Sequence, residues 1–289
     1  MADRKIRVVS SNGHAVRSSR RQEPDVWSKL RGDEDFKNMD TQKMWELVSI
    51  AVAELLGTAI LVGLGCSGLM TGIPGTDPAI NHLNIVLTFA CAVSLCVTVF
   101  GHISGCHINP AVSLSAVIFG HISLPKFFLY VISQCVGACF GIFAVKLISP
   151  DYCTAENFCV TLPNPHVGPG KAMLAEAFTT GILVWVVDAI WDRRCQDKHD
   201  SLPVKFGFAV IALALPGAKY SGASLNPARS FGPALIAGNF TDHWVYWIGP
   251  MGGSILASAI YKTFLSEVTP PQSAPLRNRI DDPEEEHPL

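Results

Sequence analysis

The sequence predicts an all-α integral membrane protein with six transmembrane helices and two re-entrant half-helices, arranged as two inverted repeats. Three observations carry that prediction. First, 49% of the 289 residues are hydrophobic and 16% are charged, against about 25% charged in a soluble domain. The charge also crowds into the ends: residues 1–43 hold ten Lys/Arg and seven Asp/Glu, and residues 267–289 hold two Arg and six Asp/Glu. Second, six apolar segments approach the ~20 residues that a spanning helix needs. Third, Asn-Pro-Ala occurs twice, at 109–111 and 226–228, each time opening an apolar segment of half that length.

The spans are expected at 45–70, 83–101, 124–148, 170–191, 203–220 and 244–265. The fifth is the weakest, with Lys205 near its start and Pro216-Gly217 near its end. The short segments are 109–120 and 226–238. Twelve residues at ~1.5 Å rise cover roughly half a bilayer, so both are half-helix candidates. AELLGTAILV (53–62) matches AEAFTTGILV (175–184), and SGCHINPAVS (104–113) matches SGASLNPARS (221–230). YVISQCVGACFG (130–141) more weakly echoes YWIGPMGGSILA (246–257). Each half therefore reads helix, helix, half-helix, helix. Three spans per half is an odd number, so the second repeat enters from the opposite side. The organisation is a tail at 1–43, a membrane domain at 44–266 with repeats at about 44–148 and 170–266, and a tail at 267–289.

Orientation follows from Lys and Arg. Eighteen lie on the side of the termini, and Lys146, Lys171 and Lys219 lie opposite. The excess of positive charge belongs in the cytosol, which places both tails there. The first forty residues are polar and show no early apolar stretch, so the first span is expected to act as an internal insertion signal. The triplet Asn239-Phe240-Thr241 then faces outward and fits a glycosylation acceptor. Most cysteines sit in apolar runs (Cys66, Cys91, Cys96, Cys135, Cys139) and read as packing. Cys153 and Cys159 lie in a polar loop and are the candidate disulfide pair if that loop meets an oxidising compartment.

Both half-helices run from mid-membrane to their own surface, so their N-termini meet near the bilayer centre. Each N-terminus carries about half a positive charge and free backbone N–H groups. Pro110 and Pro227 suit the first helical position because their missing N–H has no intrahelical partner anyway. Asn109 and Asn226 cap the helices and still offer amide N–H groups to a lumen; Ala111 and Ala228 complete the boxes. Ahead of the boxes run non-helical stretches, 105–108 (Gly105, Cys106, His107, Ile108) and 222–225 (Gly222, Ala223, Ser224, Leu225). Irregular backbone at membrane depth belongs where it lines a cavity. Its carbonyls then form a ladder of acceptors beside two central donors, a lining suited to small hydroxylic molecules. The positive centre repels protons and cations. Glu54 and Glu176, at matching positions in the repeats, are costly in a membrane unless paired. They are expected to accept from backbone N–H groups of those stretches.

The two NPA boxes, their SG..(I/L)NPA context and the glutamates at 54 and 176 resemble the aquaporin (major intrinsic protein) family over about residues 44–266. The resemblance implies the hourglass fold of that family, one pore per subunit and a homotetramer. It also implies a four-residue constriction on the outer side of the NPA centre. Spacing from the boxes matches that constriction to Phe89, Ala214, Ala223 and Arg229. Water-selective members commonly carry histidine where this chain has Ala214. An alanine widens the gap and leaves an apolar wall beside Arg229, a pattern resembling the glycerol-permeable aquaporins of insects, the entomoglyceroporins. Ser230, where typical glyceroporins carry aspartate, and the Tyr246-Trp247 pair resemble water channels instead.

The expected function is passive passage of water and small uncharged solutes, chiefly glycerol with urea as a further candidate, across the cell membrane. The alternative is a water-selective channel. No nucleophile–base pair, metal-ligand spacing, cofactor motif or nucleic-acid-binding pattern appears in the sequence, so the chain is not read as an enzyme. Cys106 is a candidate pore-facing thiol, and His102 and His107 flank the terminus-side vestibule. The basic stretch 17–21 is a candidate contact for anionic lipid.

Overall fold

In the computed structural model, residues 26–37, 39–70, 82–154, 156–195 and 200–267 are described, and among them every regular element is helical. The basic stretch 17–21, and the tails apart from residues 26–37, 39–43 and 267, lie outside the described residues. Two short helices, α1 (Val26–Arg31) and α2 (Asp33–Phe36), precede the membrane domain. The long helices are α3 (Thr41–Ser67), α4 (His82–Ser104), α6 (Leu124–Ile148), α7 (Pro169–Trp191) and α8 (Leu202–Ser221). These five are long and apolar enough to cross a membrane. The sixth expected span is α10 (Val245–Ile260), 16 residues long, which runs without a break into a π-helical turn at Tyr261–Leu265. The half-helices are α5 (Pro110–Phe119) and α9 (Pro227–Ala237), of 10 and 11 residues.

Local chemistry sets the ends. Asp40 and Ser123 accept from the N–H groups of Lys43 and Lys126 and cap α3 and α6. Left-handed glycines, Gly120 and Gly238, stop the two half-helices at matching places. α8 continues through Pro216 and ends at Ser221, so the proline expected to weaken the fifth span is absorbed within it.

The repeats pack alike. α3 lies against α6, and α7 against α10. In both pairs glycines bring backbones together. A Cβ on Gly141 would fall 2.4 Å from the Ala59 carbonyl oxygen, and one on Gly253 would fall 2.1 Å from that of Ala177. In lipid there is no hydrophobic drive between helices, so close backbone approach and dispersion hold such pairs. α4 meets α8 across the middle, and the two half-helices wedge between the pairs.

Both described ends of the chain lie on one face. Asp35 forms an ion pair with Lys126 at the start of α6, 2.9 Å apart. Lys262 donates to the Ile118 carbonyl at the end of α5. On the same face Asp192, just past α7, accepts from Arg194 Nε at 2.8 Å, while Arg194 Nη2 donates to the Leu265 carbonyl at 2.6 Å. The Arg194 hydrogen bonds hold the Asp192 carboxyl well below the usual carboxylate range.

Two outcomes are expected. Gly253→Val forces α10 off α7 and lowers the thermal midpoint of purified protein in detergent, by an overpacking cost of about 1–3 kcal/mol. Because the folded pKa of Asp192 is depressed, its contribution is complete above the unfolded value of about 3.9 and is lost as pH falls through the folded value. The stability difference between the native chain and Asp192→Asn is therefore flat from about pH 5 to 8. Melting curves across that range check it, and the difference shrinks only in stronger acid.

Candidate functional site

The site is built on two loops that turn back at membrane depth. Each starts with a left-handed glycine, Gly105 at φ 80° and Gly222 at φ 82°. Each then repeats the left-handed geometry at two non-glycine residues: Cys106 at 49° and Ile108 at 43°, Ala223 at 50° and Leu225 at 53°. Such positions cost on the order of 1–3 kcal/mol each and persist only where the surroundings hold them. Here the buried glutamates hold Ile108 and Leu225, and Ser104 Oγ and Ser221 Oγ accept from the N–H groups of Cys106 and Ala223. Glu54 accepts from the backbone N–H of His107 (2.9 Å) and of Ile108 (2.7 Å), from Ser104 Oγ (2.6 Å) and from Gln134 Nε2 (2.8 Å). Glu176 accepts from the backbone N–H of Ser224 (2.8 Å) and Leu225 (2.7 Å) and from Ser221 Oγ (2.6 Å). Tyr130 and Tyr246 donate to the carbonyls of Ser104 and Ser221, both at 2.7 Å, and close each loop from behind.

The half-helix N-termini meet through their asparagines. Asn109 Oδ1 accepts from Ala111 N, and Asn226 Oδ1 from Ala228 N and Arg229 N. Across the centre, Asn109 Nδ2 donates to the Leu225 carbonyl at 2.8 Å, and Asn226 Nδ2 donates to the Ile108 carbonyl at 2.7 Å. Each amide has a second N–H, and both asparagines line the central cavity. Pro110, Ala111, Pro227 and Ala228 are buried within the protein and start the helices rather than line the lumen.

That cavity has a volume of about 730 Å³ and reaches from His82 to Asp200. Gly105, Cys106, His107, Ile108, Gly222, Ala223, Ser224 and Leu225 all line it. So do Phe89, Ala214, Ala223 and Arg229, which the structure brings to the same lumen. The remaining wall is largely apolar, with Val86, Val93 and Val97 from α4, Leu183 and Val187 from α7, and Phe206 and Val210 from α8. One wall thus offers water no hydrogen bonds, while the loop backbone and the centre offer them. The Arg229 guanidinium lies 5.0 Å from the Phe89 ring centroid, and its Nη1 donates to the Cys159 carbonyl at 2.9 Å. His107 is held by Ser113 Oγ at 3.1 Å and packs on Tyr130, whereas His102 is exposed in the vestibule.

The disulfide expectation is corrected. Cys159 bonds to Cys66 at the end of α3, and Cys153 is free. Cys66 sits in an apolar run and reads as packing, but the last turn of its helix faces the loop that carries Cys159. Asn239 lies on that same face, where its Nδ2 donates to Asn157 Oδ1 at 2.6 Å.

Two buried polar links are not legible in the sequence. Ser230 joins Thr161 and Ser224, each at 2.6 Å, and ties the disulfide loop to the second half-helix. Asp188, buried in α7, accepts from Ser115 Oγ at 2.6 Å, and Ser258 donates to Ser115 at 2.8 Å. The WVVDAIW run around Asp188 is a signal that was available: an acid within a span asks for a partner.

A lumen running between two apposed half-helix N-termini, inside a bundle of apolar helices, defines a membrane channel. The family model of the major intrinsic proteins matches residues 41–261, and the chain belongs to that family as an aquaporin-type channel. Aquaporin-4 of Mus musculus is 39% identical over 228 residues, covering 78% of this chain and 69% of that one. The lens fiber major intrinsic protein of Ovis aries is 35% identical over 227 residues, covering 77% and 85%. Among solved structures, the aquaglyceroporin from Plasmodium falciparum superposes with a TM-score of 0.68 at 24% identity, over 75% of this chain and 96% of that one. At that identity the structural likeness speaks for the fold.

Replacing either glutamate by glutamine turns an NH₂ toward a backbone N–H and leaves it without an acceptor. Glu54→Gln and Glu176→Gln are each expected to destabilise by about 2–3 kcal/mol. Thermal unfolding in detergent, compared with the native chain, reads the loss, and the two variants should fall by similar amounts.

Proposed function

We propose that the chain is a passive channel for water and glycerol, with urea as a further solute, and that it excludes protons and ions. The observation that carries this reading is Ala214 in the lumen beside Phe89 and Arg229. A methyl group there leaves room and an apolar surface. A polyol passing that point can lay its carbons along Phe89 and Ala214 while its hydroxyls accept from Arg229. The two asparagine amides and the half-helix N-termini supply the next donors, and the positive field at the centre disfavours a proton or cation. We place the protein in the cell membrane as a homotetramer, with one pore per subunit and both tails (1–43 and 267–289) in the cytosol around a channel domain at 44–266. The charge asymmetry between the two faces supports that orientation.

A water-selective channel is the second reading. It is favoured by Ser230 and by the closeness of the Phe89 ring to Arg229.

Stopped-flow light scattering on proteoliposomes decides between them. The native chain should pass both water and glycerol. Ala214→His should cut glycerol flux about tenfold or more, the discrimination a small change in a close-fitting pocket gives, while water flux persists. Passage of water without glycerol by the native chain establishes the second reading.

A further inference from the structure

The Phe89 ring packs on α3 and lies close to Arg229. A Cβ added to Gly65 would lie 2.2 Å from Phe89 Cε1, 2.4 Å from Cδ1 and 2.6 Å from Cζ. Carbon atoms in contact sit about 3.5–4.0 Å apart, so the ring would have to move by on the order of 1 Å. The Arg229 guanidinium also lies over this ring, 5.0 Å from its centroid. Phe89 and Arg229 line the same lumen, so displacing the ring from α3 changes the opening that they share.

The tip of α3 cannot retreat to relieve such a clash. Cys66, the next residue, is fully buried against Ala138 and Ile142 and is bonded to Cys159. Cys159 is also the residue whose carbonyl anchors Arg229. Adjacent residues of one helical turn thus back the aromatic side of the constriction and, through the disulfide, tether its cationic side.

We propose that Gly65 is a specificity-determining residue of the channel: its missing side chain lets Phe89 lie back against α3 and keeps the constriction wide enough for solutes larger than water. The proposal rests on the glycerol-permeable reading. It concerns a residue that does not itself line the lumen, so Gly65 acts by positioning Phe89.

The test reconstitutes three purified proteins, the native chain, Gly65→Ala and Gly65→Ala/Phe89→Val, and measures water and glycerol flux by light scattering. Gly65→Ala should lower the glycerol-to-water permeability ratio about tenfold, and Phe89→Val in the same chain should restore it. An unchanged ratio in Gly65→Ala, with glycerol passing the native chain, overturns the role of Gly65 and leaves the glycerol reading standing. If the native chain passes water alone, the glycerol reading fails. Water flux then decides Gly65: a fall in Gly65→Ala that the double variant restores supports the positioning role, and no fall overturns it. If Gly65→Ala does not fold but the double variant folds and conducts, the clash is with the ring and the proposal stands. Failure of both to fold overturns it, because the three atoms nearest the added Cβ all belong to Phe89.

Discussion

The channel depends on a carboxylate holding the backbone of a loop that no membrane would otherwise tolerate. At mid-bilayer no water is available to satisfy an N–H group, so a non-helical segment there must find its partners in protein. Glu54 takes two consecutive backbone N–H groups, from His107 and Ile108, and Glu176 takes two from Ser224 and Leu225. The cost of burying each carboxyl is offset because every strong donor around it points inward. With those N–H groups turned toward the glutamate, the loop is free to line the lumen with its other edge.

The left-handed residues of each loop follow from the same constraint. Gly105 and Gly222 adopt positive φ without a side-chain penalty, but Ile108 and Leu225 do not. These latter residues donate directly to the glutamates, and their carbonyls accept from the asparagine of the opposite half. Backbone strain is thus concentrated where the two repeats interlock. The asparagine amides are oriented on both sides, by their own helix N-terminus and by the partner loop, so the central donors are fixed before any solute arrives.

The residues of the proposed constriction are less symmetric. The glutamate, loop and asparagine recur in both repeats. Ala214 and Arg229 do not, since Val97 and Val112 stand at the matching places, and among the described residues the disulfide lies on the first repeat's α3. Symmetry therefore builds the centre of the pore, and local departures from it shape the constriction. Buried links such as Thr161–Ser230–Ser224 and Asp188–Ser115 tie these departures to the common frame.

The sequence by itself determined the spans, to within three or four residues at most ends, because apolar length and the absence of charge report the bilayer directly. It also determined the two half-helices and the repeat, since a doubled Asn-Pro-Ala box opening a half-length segment has few physical readings. The glutamates could be named, but not Gln134 or Ser221 as their further donors. The constriction was reached through family resemblance rather than spacing alone. Only the tertiary structure decided the rest. Cys66 and Cys159 are 93 residues apart, and an apolar run does not announce which of its cysteines faces a loop. Gly65 reads as one more small residue in a membrane helix until Phe89 is seen lying on it. The physical reason is common to both: local sequence encodes solvent, length and capping, whereas a bond or a missing Cβ gains meaning only from what another helix brings against it.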